Sequence, residues 1–113
     1  FEAQRPGWAL PIHQLMAKHG VTIFFHGHDH IFVTQERDGV MYQELPEPAD
    51  PHYMAYNENA YRTGVKLPNS GHVRVTVSAA EVKVDYVRAY LPQDETAAHK
   101  NGEVAYSYTI PAK

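Results

Sequence analysis

Three histidines, His26, His28 and His30, fall at alternate positions with Gly27 and Asp29 between them. They follow directly on the apolar run Val21-Thr22-Ile23-Phe24-Phe25. On an extended backbone, side chains two apart share a face. The spacing therefore predicts three imidazoles side by side where a buried strand reaches the surface. Neutral imidazole is the commonest metal ligand, and two at i, i+2 can hold one ion or bridge a pair. Gly27 predicts a tight turn or a close approach of backbone to ligand, which a Cβ would obstruct. Asp29 is placed to orient a ring N–H or to cap the following turn. The competing reading is a strand-end loop with solvated histidines. Three in five residues after a hydrophobic strand favour metal.

The elements on either side must position this stretch. From Trp8 to His19, the residues Ile12, Leu15, Met16 and His19 recur at i, i+3, i+4, i+7, which predicts a helix with one apolar face. Pro11 suits its first turn and Gly20 the left-handed residue that closes it. His13 lies off the stripe and is expected to face solvent, while His19 suits the negative end of the helix dipole. Val21 to His26 reads as a short strand buried on both faces, an α/β unit with functional groups at the strand's carboxyl end. Ile31–Gln35 and Val40–Leu45 flank Asp38-Gly39, a hairpin signal.

Residues 46–70 are interrupted by four prolines and carry Tyr53, Tyr56 and Tyr61. Such a length without regular structure is expected of a lid or binding loop. His52 and Tyr61 are its candidates for a substrate-facing role, against the alternative of tyrosines packed on a sheet edge. Gly71 to Ser78 alternates Val73, Val75 and Val77 with His72, Arg74 and Thr76. Val82, Val84 and Tyr86 continue the pattern, predicting a second hairpin with one buried face and His72 at the surface. Leu91–Glu103 reads as a polar loop with a turn at Asn101-Gly102, and Val104–Ile110 as a closing edge strand. The architecture expected is α+β, one helix followed by a mostly antiparallel sheet, as a single unit over residues 1–113.

Composition narrows the chemistry. A formal charge of −3 leaves no basic footprint for nucleic acid. With no cysteine, disulfides and thiolate sites are excluded, so any metal must sit on nitrogen and oxygen ligands. No apolar run approaches the length of a membrane span, and no signal peptide is read.

At Gly27-His28-Asp29-His30 the chain resembles the last signature block, Gly-His-x-His, of the calcineurin-like metallophosphoesterases. The flanking order is similar too: a helix ending in Lys18-His19-Gly20, the strand Val21–Phe25, then a hairpin. Gly71–Val77, Val82–Tyr86 and Ala105–Ile110 look like that family's C-terminal sheet. The resemblance implies two divalent or trivalent metal ions (Mn, Fe, Zn or Ni), one on His28 and the other on His30. It places His26, Gly27 and Asp29 around the ligands and implies a phosphate-ester substrate attacked by metal-activated water. The family's earlier blocks, Asp-x-His, Gly-Asp-x-x-Asp and Gly-Asn-His-Asp/Glu, are absent from these residues. The resemblance therefore implies the C-terminal portion of an α/β sandwich, with no catalytic residue of its own. On this reading the remaining ligands lie in a missing N-terminal part, the isolated chain is inactive, and its uncovered face leads it to self-associate. It also points weakly to a bacterial periplasmic or secreted location.

Two other classes compete. Gly20, His26, Gly27 and His28 match the opening of a cupin motif, which implies a small metal-binding β-barrel needing His26 and His28. A non-catalytic structural or interaction domain is the third reading.

Overall fold

The computed structural model describes Phe1–Lys113. One helix, α1 (Ile12–Lys18), precedes seven strands: β1 (Ile23–His26), β2 (Phe32–Arg37), β3 (Val40–Glu44), β4 (Val65–Leu67), β5 (Gly71–Val77), β6 (Glu81–Arg88) and β7 (Val104–Pro111). The strands form a four-stranded sheet in the order β1-β3-β2-β4 and a three-stranded sheet in the order β5-β6-β7. All pairings are antiparallel except β1 with β3. The chain is α+β, as its pattern predicts. Neither sheet closes on itself into a barrel.

The two hairpins form where the turn residues require them. Asp38 and Gly39 both take positive φ, at 53° and 74°, which joins β2 to β3 through two left-handed residues. The sheets meet through aromatic rings. Phe32 of β2 stacks on Tyr86 of β6 with centroids 4.6 Å apart, and Tyr106 of β7 lies edge-on at 5.9 Å. Tyr108 Oη donates to Gln43 Oε1 across the sheets at 3.0 Å. Tyr86 Oη donates to the Pro68 carbonyl at 2.6 Å, and burial pushes this phenol up to about 12. Arg88 donates to the carbonyls of Asn69 and Ser70, fixing the entry to β5 against the second sheet.

Several expectations are corrected. The helix starts at Ile12 rather than Trp8, because Leu10 before Pro11 is driven out of helical geometry. None of its residues is buried, so the stripe finds no core to face. β1 is an edge strand, not a doubly buried one, and Phe24 and Phe25 remain 41% and 38% exposed. Val75 and Val77 also stay exposed, because the sheet-to-sheet contact covers the Gly71 end of that hairpin. Residues 46–70 contain a short strand, β4, pairing with β2. Only 17 of the 113 residues are buried, and the radius of gyration is 16.2 Å against about 13 Å for a compact chain of this length. The molecule is a thin slab with an open β1 edge. No helix is long and apolar enough to cross a membrane.

Asp85 in β6 is buried, yet surrounded by donors. Ser107 Oγ lies at 2.6 Å, Arg74 at 2.8 Å and Lys83 Nζ at 3.1 Å. The Ser107 hydroxyl and the Arg74 guanidinium, with help from Lys83, outweigh burial and hold this carboxyl well below the ordinary aspartate value of 3.8. A depressed folded pKa contributes stability above the unfolded value, and that stability is lost as pH falls through the folded one. Thermal melts of the wild type should therefore drop as pH falls below about 3.8. Asp85→Asn should melt lower at neutral pH and show a shallower acid limb; an unchanged limb would assign acid lability to other carboxylates.

Candidate functional site

β1 ends at His26, and the chain bends over the next residues. His28 has φ 137° and His30 has φ 51°. The expected row of three imidazoles on one extended face is therefore not formed, since strand geometry stops before the second. Gly27 is not left-handed, and a Cβ on it would meet nothing within 4 Å. The unusual backbone expected of the glycine falls on the two histidines instead. His30 sits in the left-handed well that histidine enters at modest cost. At 137°, His28 lies outside that well, in territory that glycine alone samples freely.

Four side chains hold this turn. Glu44, at the end of β3 and only 2% exposed, accepts the Asp29 N–H at 2.9 Å and pairs through its other oxygen with His26 Nδ1. Asp29 in turn accepts from Tyr61 Oη at 2.7 Å and from Asn57 Nδ2 at 3.1 Å. Its other oxygen lies 3.2 Å from His28 Nδ1. A carboxylate only accepts, so this contact is a hydrogen bond when Nδ1 carries a proton, and in the neutral form of that tautomer Nε2 keeps its lone pair. Asp29 thus lies beside a ring nitrogen of His28. The Tyr61 hydroxyl, then the His28 ring, keep the Asp29 carboxyl below its usual range, against the opposing effect of burial and with help from Asn57.

His30 is held from the other side. The buried Asn69 donates to the His30 carbonyl and, at 3.3 Å, to Asp50 Oδ2. Its own Oδ1 accepts the Glu47 N–H at 2.8 Å. The His30 ring stands edge-on to Tyr56, with centroids 6.0 Å apart, and its Nε2 lies 3.6 Å from Glu47 Oε2. Sequence reading passed over Glu44, Glu47 and Asn69; the only signal for them was polar residues at the ends of β3 and β4.

Two residues of the long 46–70 segment singled out in the sequence, Tyr61 and His52, lie at different removes from this turn. Tyr61 reaches the site through Asp29. His52 reaches it only indirectly, because its Nδ1 and N–H both bind Asp50 Oδ1, at 3.0 and 2.9 Å. Burial disfavours the charged form of Asp50, but these contacts, with Asn69, outweigh it and lower its pKa. His26 faces a groove of about 440 Å³ lined also by His13, Gln35, Arg37, Tyr42 and Thr63. His13 is thus half-buried beside His26, not turned to solvent as its position off the stripe predicts.

No three His, Asp or Glu side chains converge to hold a metal ion. The chain offers single donors: His28 Nε2, with its opposite nitrogen tied to a carboxylate as metal-bound histidines usually have it, and the His30 ring. That donor chemistry suits a metal, and the number of donors makes only part of a coordination set.

Tyr61→Phe deletes the strongest restraint on Asp29. Its carboxyl should then titrate closer to the ordinary aspartate value, followed by carbon-13 NMR, while the melting temperature changes little. No rise in the Asp29 titration would remove Tyr61 from the site.

No protein-family model matches the chain, and no curated protein matches it.

Proposed function

We propose that this chain is the histidine-bearing portion of a dinuclear metal centre that hydrolyses phosphate esters. The observation that carries the reading is the backbone at His28 and His30. Non-glycine residues at positive φ cost of order 1–3 kcal/mol and persist where the surroundings force them, most often at functional sites. Here both histidines of Gly27-His28-Asp29-His30 take positive φ, the strained one being His28, and Glu44, Asp29 and Asn69 hold the backbone around them. An exposed, solvated histidine has no structural reason to be held in this way.

The roles follow from the contacts. His28 Nε2 and the His30 ring are the donors, each for one of two divalent or trivalent ions. Asp29 fixes the tautomer of His28. Glu44 and Tyr61 fix Asp29. His52 and Tyr56 stand on the segment that borders the site, where an ester's organic group would lie. Bound there, the ions would lower the pKa of a water and neutralise charge on the phosphate oxygens. Catalytic metals usually have three protein ligands, so the remaining donors come from outside these residues. The open β1 edge and the unburied helix support the same arrangement, since a parallel pair such as β1-β3 is ordinarily covered and continued. They also support the second reading, a structural or interaction domain whose open edge pairs with another segment or a second copy.

The test is hydrolysis of p-nitrophenyl phosphate and bis(p-nitrophenyl) phosphate with added Mn²⁺ or Zn²⁺. The 113-residue chain should be inactive, and the native gene product that contains it active. His28→Ala or His30→Ala should lower the activity of that product by about 10³-fold or more. A gene product inert towards both esters in every metal leaves only the interaction reading.

A further inference from the structure

We propose that the groove at the end of β6 is an oxyanion site, in which Arg88 grips the phosphate or carboxylate group of a small ligand. The inference does not rest on the metal reading, and it concerns a buried charge that the histidine turn leaves unused.

A charge taken out of water is ordinarily paired, because leaving it alone is costly. Arg88 is 7% exposed, and no ion pair of the chain includes it. Its Nε donates to the Ser70 carbonyl at 3.1 Å and its Nη2 to the Asn69 carbonyl at 2.6 Å. These two nitrogens form one edge of the planar guanidinium, and neutral carbonyls leave its charge uncancelled. The guanidinium carbon stands over the Tyr90 ring at 4.9 Å and over the Tyr86 ring at 5.5 Å, so aromatic rings help to hold the plane in place.

The other end of the fork is free. Those two bonds are the only ones the Arg88 side chain makes, so Nη1 has no partner. No buried side-chain nitrogen in the structure is left unsatisfied, so Nη1 meets solvent. The one groove that Arg88 lines has a volume of about 580 Å³. A guanidinium end fixed by backbone and rings is therefore presented there, and its spaced donors match the oxygens of a carboxylate or phosphate. Donors held in place beforehand lose little freedom on binding.

The remaining lining fits an anion. Gln93 and Thr96 are neutral, and Asp94 is the only carboxylate among the lining residues. One Asp94 oxygen is already taken by the Tyr53 hydroxyl at 2.6 Å. Glu103, behind His99, is taken by His99 Nδ1 at 3.3 Å and the Lys100 N–H at 3.2 Å.

The experiment titrates the 113-residue chain with inorganic phosphate and, separately, with acetate, at an ionic strength held constant with sodium chloride. The guanidinium nitrogen-15 resonances of Arg88 and the backbone amides are followed. Phosphate or acetate should move Arg88 Nη1 along a saturable curve, and the tighter of the two assigns the ligand's anionic group. Gln93→Glu adds a carboxylate at the exposed rim and should weaken binding about two- to fivefold, while Asp94→Asn should strengthen it by a similar factor. Arg88→Lys keeps the charge without the fork and should abolish the curve, with amide spectra reporting the fold. If that variant unfolds, the Gln93 and Asp94 variants, which leave Arg88 intact, decide the matter. The proposal is overturned if Arg88 does not saturate with either oxyanion, or if chloride moves it equally. It is also overturned if neither groove variant changes the affinity, or if a folded Arg88→Lys binds like the wild type. Arg88 would then be a tie between β6 and the Asn69-Ser70 backbone and nothing more.

Discussion

Replacing Gly64 by alanine is expected to leave the chain without a stable fold. Gly64 has φ 90°, and a Cβ there would lie 1.8 Å from the Thr34 carbonyl oxygen and 2.9 Å from its carbon. Both are backbone atoms of β2, so no rotamer change relieves the overlap. The residue marks the place where the long 46–70 segment returns onto the sheet to begin β4, and Thr63 beside it accepts from Gln35 Nε2 at 3.0 Å. Alanine must either push β4 off β2 or break the β2-β3 ladder. Backbone strain alone costs of order 1–3 kcal/mol, and the displaced strand adds to it. Small domains have only about 5–15 kcal/mol in total, and this thin slab with few buried residues belongs at the low end. Urea denaturation should show no cooperative transition for Gly64→Ala at 25 °C. Two controls separate overlap from φ. Gly102→Ala, at φ 83° with nothing within 4 Å, should cost about 1 kcal/mol. Gly27→Ala, with neither strain nor neighbours, should be nearly neutral. A cooperative Gly64→Ala transition close to wild type would show that Gly64 does not pack against the Thr34 carbonyl at the entry to β4.

The Gly27 comparison also shows where sequence reading ends. Hairpins at Asp38-Gly39 and between β5 and β6 were legible because turn chemistry and period-two alternation are local properties. The closing strand was legible for the same reason, with Tyr106 and Tyr108 two apart. Burial was not legible, because it depends on what lies opposite. Phe24 and Phe25 look like core until β1 proves to be an edge, and the α1 stripe looks buried until nothing packs on it. The histidine cluster was legible as a cluster in sequence but not as geometry. Counting by twos assumes extended backbone, and here the chain leaves that state after His26. Glu44, Glu47 and Asn69 carry no motif. They matter because β3 runs parallel to β1 and brings Glu44 level with His26, and because Asn69 reaches back 39 residues to the His30 carbonyl. Long-range pairing of this sort is the part a local pattern does not encode.

His28→Gly should abolish the proposed hydrolytic function while leaving the fold as stable as before, or slightly more so. The His28 side chain is 92% exposed, and its one polar partner is its neighbour Asp29. Removing the ring therefore costs no core packing. Glycine accepts a φ of 137° freely, which relieves strain of order 1–3 kcal/mol and offsets the roughly 1 kcal/mol of extra chain entropy that glycine loses on folding. Stability should thus stay within about 1 kcal/mol of wild type, measured by urea denaturation of the chain. Function should move the other way: loss of a metal-binding imidazole in the complete gene product should lower kcat/KM for phosphate esters by about 10³-fold or more, or about 4 kcal/mol of transition-state stabilisation. His28→Ala serves as the matched control, since it deletes the same ring but keeps a Cβ at the strained φ. It should be equally inactive and less stable than His28→Gly. A ring with a structural purpose gives the reverse pattern, with both variants destabilised together and activity following stability. Only a side chain held against its own backbone preference for the sake of its chemistry separates the two measurements.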